Sequence, residues 1–204
     1  MALPASGTIS LNEIHIEAGG TTATLASIND ADIRALIGKA DGVEMSFNEW
    51  YGASAGQSFT VTEGTDTFTA AVYYGFREER NPDVGSVSPT SLTVAGKSHP
   101  IRDAYRRVSV SGGVEQGNSA FWFILYNASD GTVPANDWFT SVDVEITGGT
   151  ANLTPAAATI VTSGSGATGR KEWRWFSNDF SSGDLANFAS QWDGYGTSDV
   201  TINE

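Results

Sequence analysis

The sequence predicts a mainly β protein in which a small N-terminal helical module, residues 1–55, precedes an antiparallel β-sandwich, residues 56–204. Three observations carry this expectation. Charged residues make up only 17% of the chain while Gly numbers 23, a balance that suits short strands and tight turns better than long solvent-facing helices. Three helix-start signals, each closed by glycine, crowd into the first quarter. Beyond it the apolar period drops to two, and glycine-rich pieces interrupt it at short intervals.

In chain order, Ser10-Leu11-Asn12-Glu13 has the form of a capping box, with Leu11, Ile14 and Ala18 following at helical spacing and Gly19-Gly20 as the stop. Asn29 or Asp30 caps a second short helix that carries Ile33, Leu36 and Ile37 and ends at Gly38. Ser46-Phe47-Asn48-Glu49 repeats the first signal, followed by Trp50-Tyr51 and Gly52. Helices this short are marginal in water alone, and a unit of about 50 residues is near the lower limit of independent stability. The segment is therefore expected to lean on the following domain, on a copy of itself or on a partner.

Gly52-Ala53-Ser54-Ala55-Gly56 reads as the linker. After it, Phe59 and Val61, then Phe68, Ala70, Val72 and Tyr74, alternate about a hairpin turn expected at Gly64-Thr65-Asp66. Further strands are expected at 91–94, 104–110, 119–126, 140–147, 157–161, 172–176 and 200–202. Turns are read at Ser111-Gly112-Gly113, Ala128–Gly131, Gly148-Gly149 and Ser163–Gly166. Seven to nine short strands so spaced argue for a sandwich. Phe121–Tyr126 is apolar on both faces, as a covered central strand is, and Trp173 and Trp175 share one face opposite Arg174 and Phe176. These aromatics read as core. The loop aromatics Trp192 and Tyr195, in Gln191-Trp192-Asp193-Gly194-Tyr195-Gly196, are the candidates for stacking on sugar rings.

Composition narrows the function. With 40% hydrophobic residues a real core can be buried, and 11 basic against 24 acidic residues give 11 − 24 = −13. That charge opposes extended nucleic-acid binding. No run approaches the ~20 apolar residues of a membrane helix, and no secretory signal is read at the N-terminus. Without cysteine there is no disulfide framework, thiolate zinc site or Cys nucleophile. His15 in the first helix and His99 in a loop have no triad partners in sight. Glu78-Glu79 beside Arg77 and Arg80 read as a self-neutralising cluster, and Asp143 with Glu145 supply too few oxygens for calcium. Asn127-Ala-Ser129 and Asn152-Leu-Thr154 read as chance matches to the glycosylation pattern. No catalytic residue, metal or cofactor is expected.

Three N-terminal stretches carry a resemblance: Gly7–His15 (GTISLNEIH), Ser27–Arg34 (SINDADIR) and Met45–Ser54 (MSFNEWYGAS). Together they resemble the N-terminal module of virion structural proteins of tailed bacteriophages, often of marine or cyanobacterial phages, labelled tail fibre, tail tip or minor structural protein. The resemblance covers about the first quarter of the chain. It implies that the module holds the protein to the particle while the rest of the chain varies with the job. Tyr73–Phe76, Gly85–Pro89, Ile101–Tyr105 and Trp138–Val142, with Trp173-Arg174-Trp175, look like a small β-domain found behind such modules.

The expected function is thus a non-enzymatic virion protein, a tail-fibre or tail-tip component assembled in the host cytoplasm. It would be attached to other virion proteins through apolar faces around Leu11, Ile14, Ile33, Leu36, Phe47, Trp50 and Tyr51. Homo-oligomerisation would strengthen weak host contacts by avidity, with a host-surface glycan or receptor as the outward partner. A capsid decoration or vertex protein is the alternative. No nucleic-acid partner and no membrane insertion are expected. A small hydrolase is set aside, because acid–base and nucleophilic groups are not gathered in any known spacing.

Overall fold

Among the described residues, two short helices and a 3-10 turn open the chain and twelve strands come after them, with two further 3-10 turns and one helix between the last three strands. The computed structural model describes residues 3–4, 6–51, 56–78, 82–181 and 183–204, with backbone alone at 117–118. The chain divides into two compact units, Met1–Gln57 with Asn203–Glu204, and Ser58–Ile202. The linker expected at Gly52–Ala55, and Glu79 with Arg80, lie outside the described residues.

In the first unit, helix α1 (Leu11–Glu17) starts at Ser10, whose hydroxyl accepts from the Glu13 N–H while the Glu13 carboxylate accepts from the Ser10 N–H. Helix α2 (Ala31–Ala35) starts at Asp30, and a 3-10 turn spans Phe47–Trp50. Gly19 and Gly38 close the first two at positive φ. Ile14, Ile33 and Trp50 are fully enclosed in a small core with Leu3 and Ile9. The Trp50 indole N–H donates to the Ile33 carbonyl at 3.2 Å, tying the last turn to α2. Arg34, 3% exposed, staples the 40–45 loop through bonds to the carbonyls of Ala40 and Val43. Burial of its stem and satisfaction of its donors make it a core residue despite its charge.

The second unit holds a five-stranded and a seven-stranded sheet. Strands β1 (Gln57–Thr62), β4 (Ser86–Ser88), β8 (Ser141–Ile146), β9 (Gly149–Leu153) and β12 (Thr197–Asn203) form the first, in the order β4-β1-β12-β8-β9. The second runs β10 (Thr159–Ser163), β11 (Arg170–Phe176), β7 (Val114–Tyr126), β6 (Lys97–Ser111), β3 (Ala71–Arg77), β2 (Gly64–Thr67), with β5 (Ser91–Val94) also on β6. The pairings β1–β4, β2–β3, β3–β6, β5–β6, β6–β7, β7–β11, β10–β11 and β8–β9 are antiparallel. The long β6–β7 hairpin turns at Gly112 and Gly113, both at positive φ, as a two-residue turn of matching twist requires. Alternate residues of both sheets enter one core, where Phe59 of β1 stacks on Phe123 of β7 with centroids 5.7 Å apart. Helix α3 (Asp184–Gln191) adds Phe188 to that core.

Several sequence expectations are corrected here. Gly64-Thr65-Asp66 is strand β2 rather than a hairpin turn, because the chain leaves one sheet at Thr62 and joins the other at Gly64. Glu63 is the single residue at that switch, and it is buried. His99 lies inside β6, fully buried, not in a loop. Gly149 opens β9 instead of completing a turn, and β10 begins at Thr159, two residues later than expected. Strands β4 and β9 and helix α3 are additions to the expected elements.

Candidate functional site

The seven anchor candidates divide into three groups. Ile14, Ile33 and Trp50 are the core of their own unit, so they present no face to a partner. Steric enclosure overturns that part of the expectation. Leu11 and Leu36 are half-buried at the edge of the same core. Phe47 and Tyr51 are exposed, at 42% and 37%, and with Ile16, Val43 and Leu25 they leave apolar surface on this unit. The Tyr51 hydroxyl donates to the Gly7 carbonyl at 2.6 Å, which fixes its ring.

The two glycan candidates also part company. Trp192 is fully buried, the residue that ends α3, and its indole N–H donates to the Glu145 carbonyl at 3.0 Å. Its ring meets Phe121 edge-on at 5.3 Å, so no face is free for a sugar. The surrounding loop is held by Glu63, whose carboxylate accepts from the Gly194 N–H and the Ser198 hydroxyl at 2.8 and 2.7 Å. Burial raises the Glu63 carboxyl above its ordinary range, partly offset by those two bonds. Tyr195, 88% exposed, remains on the surface.

A different constellation lies on the face of the seven-stranded sheet turned away from the shared core. Strand register builds it. Tyr105, Trp122 and Arg174 stand directly opposite one another across β6, β7 and β11. Two residues along, where side chains return to the same face, Arg77, Asp103, Ile124 and Glu172 form a second row across β3, β6, β7 and β11. Tyr126 and Arg170 make a third pair. A register shift between Ile101 and Asp103 inserts Arg102 beside Asp103, and the two side chains form a buried ion pair.

The rows interlock. Arg77 sits 4.0 Å from the Tyr73 ring centre and bonds Asp66 at 2.5 Å; Glu79 and Arg80, the other half of the expected cluster, lie outside the described residues. Tyr105 stacks on Trp122 at 5.6 Å, and Arg174 lies 3.9 Å from the centre of that indole. Arg170 and Arg174 both bond the Glu172 carboxylate, at 2.9 and 3.0 Å through their Nε atoms. Burial pushes the Glu172 carboxyl up, but the two guanidiniums outweigh it and leave it below the ordinary range. Burial likewise drives Asp103 up to about 6, against the pull of Arg102.

Between these side chains is a cavity of about 180 Å³, lined by Arg77, Arg102, Arg170, Arg174, Asp103 and Glu172 among others. Arg170 also lines a larger one of about 660 Å³ with Glu78, Ser98, Tyr126, Asn127, Ser129 and Thr168. Asn127 is buried, and its amide N–H donates to the Gly166 carbonyl at 2.9 Å. Gly169 lies so close to that amide that a Cβ there would collide with it. The Asn127 match to the glycosylation pattern is thus a packed side chain.

Neither histidine joins this site. His15 Nε2 is 2.7 Å from the Thr24 hydroxyl, and His99 Nδ1 is 3.0 Å from the Tyr126 carbonyl, with burial lowering its basicity. Asp143 accepts from the Asn152 amide and Glu145 from the Asp199 N–H. Among the described residues no group of three or more His, Asp or Glu could hold a metal ion. No described helix is long and apolar enough to cross a membrane. The arginine row is absent from the sequence-based candidates, yet it has a local signal: Arg170, Glu172 and Arg174 alternate along one strand, which puts all three on one face. Comparisons with protein families, curated proteins and solved structures find no match to this chain.

Proposed function

We propose that this chain is a non-enzymatic structural protein of a tailed-bacteriophage virion, a tail-fibre or tail-tip component. It docks through residues 1–55 and presents residues 56–204, an antiparallel β-sandwich, toward the host surface. The observation that carries this reading is the first unit's separate core: Ile14, Ile33 and Trp50 hold the fold while Phe47, Tyr51, Val43, Ile16 and Leu25 stay exposed around it. Exposed aromatics on a small rigid unit have the chemistry of interface anchors. The resemblance of GTISLNEIH, SINDADIR and MSFNEWYGAS to phage virion modules supplies the partner class. Both histidines are engaged in structural contacts, which favours a binding role over catalysis.

The docking surface is therefore drawn more narrowly than the sequence suggested: Phe47 and Tyr51, with Leu11 and Leu36 half-buried at the edge of the core. The test is incorporation. Residues 1–55 fused to an unrelated protein should enter particles made in infected cells, and the fusion carrying Phe47→Ser and Tyr51→Ser should not. If only the 56–204 piece enters particles, the anchor assignment is wrong. Copy number then separates positions: few copies at one vertex place the chain on the tail, and hundreds make it a capsid decoration protein.

A further inference from the structure

We propose that the groove formed by the two cavities that meet at Arg170 binds an acidic saccharide, its hydroxyl-rich body in the larger cavity and its anionic substituent among the arginines of the smaller. The inference goes beyond the virion assignment and rests on it only for the place where such a sugar is met, a host surface.

Size comes first. About 660 Å³ falls within the range of sites for small organic ligands. The neighbouring 180 Å³ corresponds to roughly six waters at liquid density, room for a carboxylate, sulfate or phosphate group but not for a sugar ring. Arg170 lines both, so one ligand can reach across.

The lining chemistry differs between the two halves. The larger cavity offers short hydroxyls (Ser98, Ser129, Thr168), the Asn127 amide and the Glu78 carboxylate, a mix of donors and acceptors that suits groups able to give and take a hydrogen bond at once. Asn127 is 2% exposed, and its orientation is fixed because Nδ2 donates to Gly166. Its Oδ1 has no hydrogen-bond partner among the described residues. A buried acceptor left unmade is costly and calls for a donor, which a sugar hydroxyl provides.

In the smaller cavity, Arg77, Arg102, Arg170 and Arg174 face Asp103 and Glu172. That is half of the chain's eight arginines in a protein of net charge −13, and with Asp66, which pairs with Arg77, the local balance is 4 − 3 = +1. Arg77 Nε and Trp122 Nε1 are buried donors with no acceptor among the described residues. Excess positive charge and unmet donors together call for an anion, and guanidiniums match planar or tetrahedral oxyanions well. Glu78 lines the larger cavity beside the smaller one, its backbone N–H donating to Asp103 at 3.1 Å, so the arginines alone place the anion.

The test uses the full chain on an array of oligosaccharides bearing uronate, nonulosonate, sulfate or phosphate, each beside its neutral counterpart, with titration calorimetry on those bound. One acidic class should bind at least about tenfold more tightly than its neutral counterpart, the discrimination expected when a site built for a charge is left unpaired; which class it is identifies the anion. Arg170→Gln should erase that preference. Ala167→Trp, a change at an exposed position of the turn that lines the larger cavity, should abolish binding without loss of fold. Equal affinity for acidic and neutral forms would overturn the proposal. So would binding that survives both substitutions, or capture of a host protein with no glycan bound at all.

Discussion

The guanidinium of Arg174 stands 3.9 Å from the centre of the Trp122 ring. The indole is held from the neighbouring strand as well, by Tyr105 stacked at 5.6 Å between centroids. Arg174 also bonds Glu172, so one side chain orients both an aromatic and an acid. A partly buried cation–π contact contributes about 1 kcal/mol. Arg174→Ala should therefore lower the unfolding free energy by about 1–2 kcal/mol, read as a lower urea midpoint with unchanged slope. Arg174→Lys should recover only part of it, since an ammonium cannot lie flat on the ring while bonding the carboxylate.

Asp103 gives the fold a pH dependence of defined sign. An aspartate ionises near pH 3.9 in an unfolded chain, but in the folded protein burial holds Asp103 up to about 6. Between those values the folded chain keeps the proton and the unfolded chain releases it. Stability is therefore lost as pH rises through that window, and the loss is complete above it. Arg102, Arg77, Glu78 and Tyr105 surround the group, and Arg102 limits the penalty. The effect is on the order of 2 kcal/mol. Asp103→Asn keeps an oxygen for the Glu78 N–H and removes the titration. The stability difference between wild type and this variant, measured by urea denaturation, should shift in favour of the wild type as pH falls from about 7 to about 4.5.

Trp192 and Tyr195, three residues apart, should respond in opposite ways. Trp192 fills the core, so Trp192→Ala should cost about 3–5 kcal/mol. Tyr195→Ala should change stability by no more than about 0.5 kcal/mol and leave binding of acidic sugars untouched. Thermal unfolding of the two variants, with the glycan titration repeated on Tyr195→Ala, checks both.

Ile14→Ala should open the first unit selectively. The cavity it leaves costs about 2–5 kcal/mol, a large share of what a unit of this size holds. Limited proteolysis should cut within residues 1–57 while a fragment near 58–202 persists.

The sequence announces local features more clearly than long-range ones. Ser10 and Glu13 are three residues apart, and their reciprocal bonds are visible in the spacing alone. The burial of Trp192 depends on Phe121, about seventy positions away in the chain, and on the Glu145 carbonyl. No local pattern reports that, so an aromatic among Gly and Asp looks like an exposed loop residue. β2 is hidden for a related reason: Gly-Thr-Asp is good turn chemistry, and only the switch of sheets at Glu63 makes it a strand. The arginine row falls between these cases. Its spacing along β11 is readable, but its partners Tyr105 and Trp122 are set by register between strands distant in sequence.

Cross-linking of intact particles tests the central claim most directly. The chain has three lysines: Lys39 lies in the first unit, Lys97 and the buried Lys171 in the second. Lys39 and Lys97 are accessible, with side chains 30% and 42% exposed. If the proposed function holds, in particles treated with an amine-reactive cross-linker Lys39 should be joined to a virion polypeptide and Lys97 should not. Links from Lys97 to particle proteins, with Lys39 left free, would contradict the account.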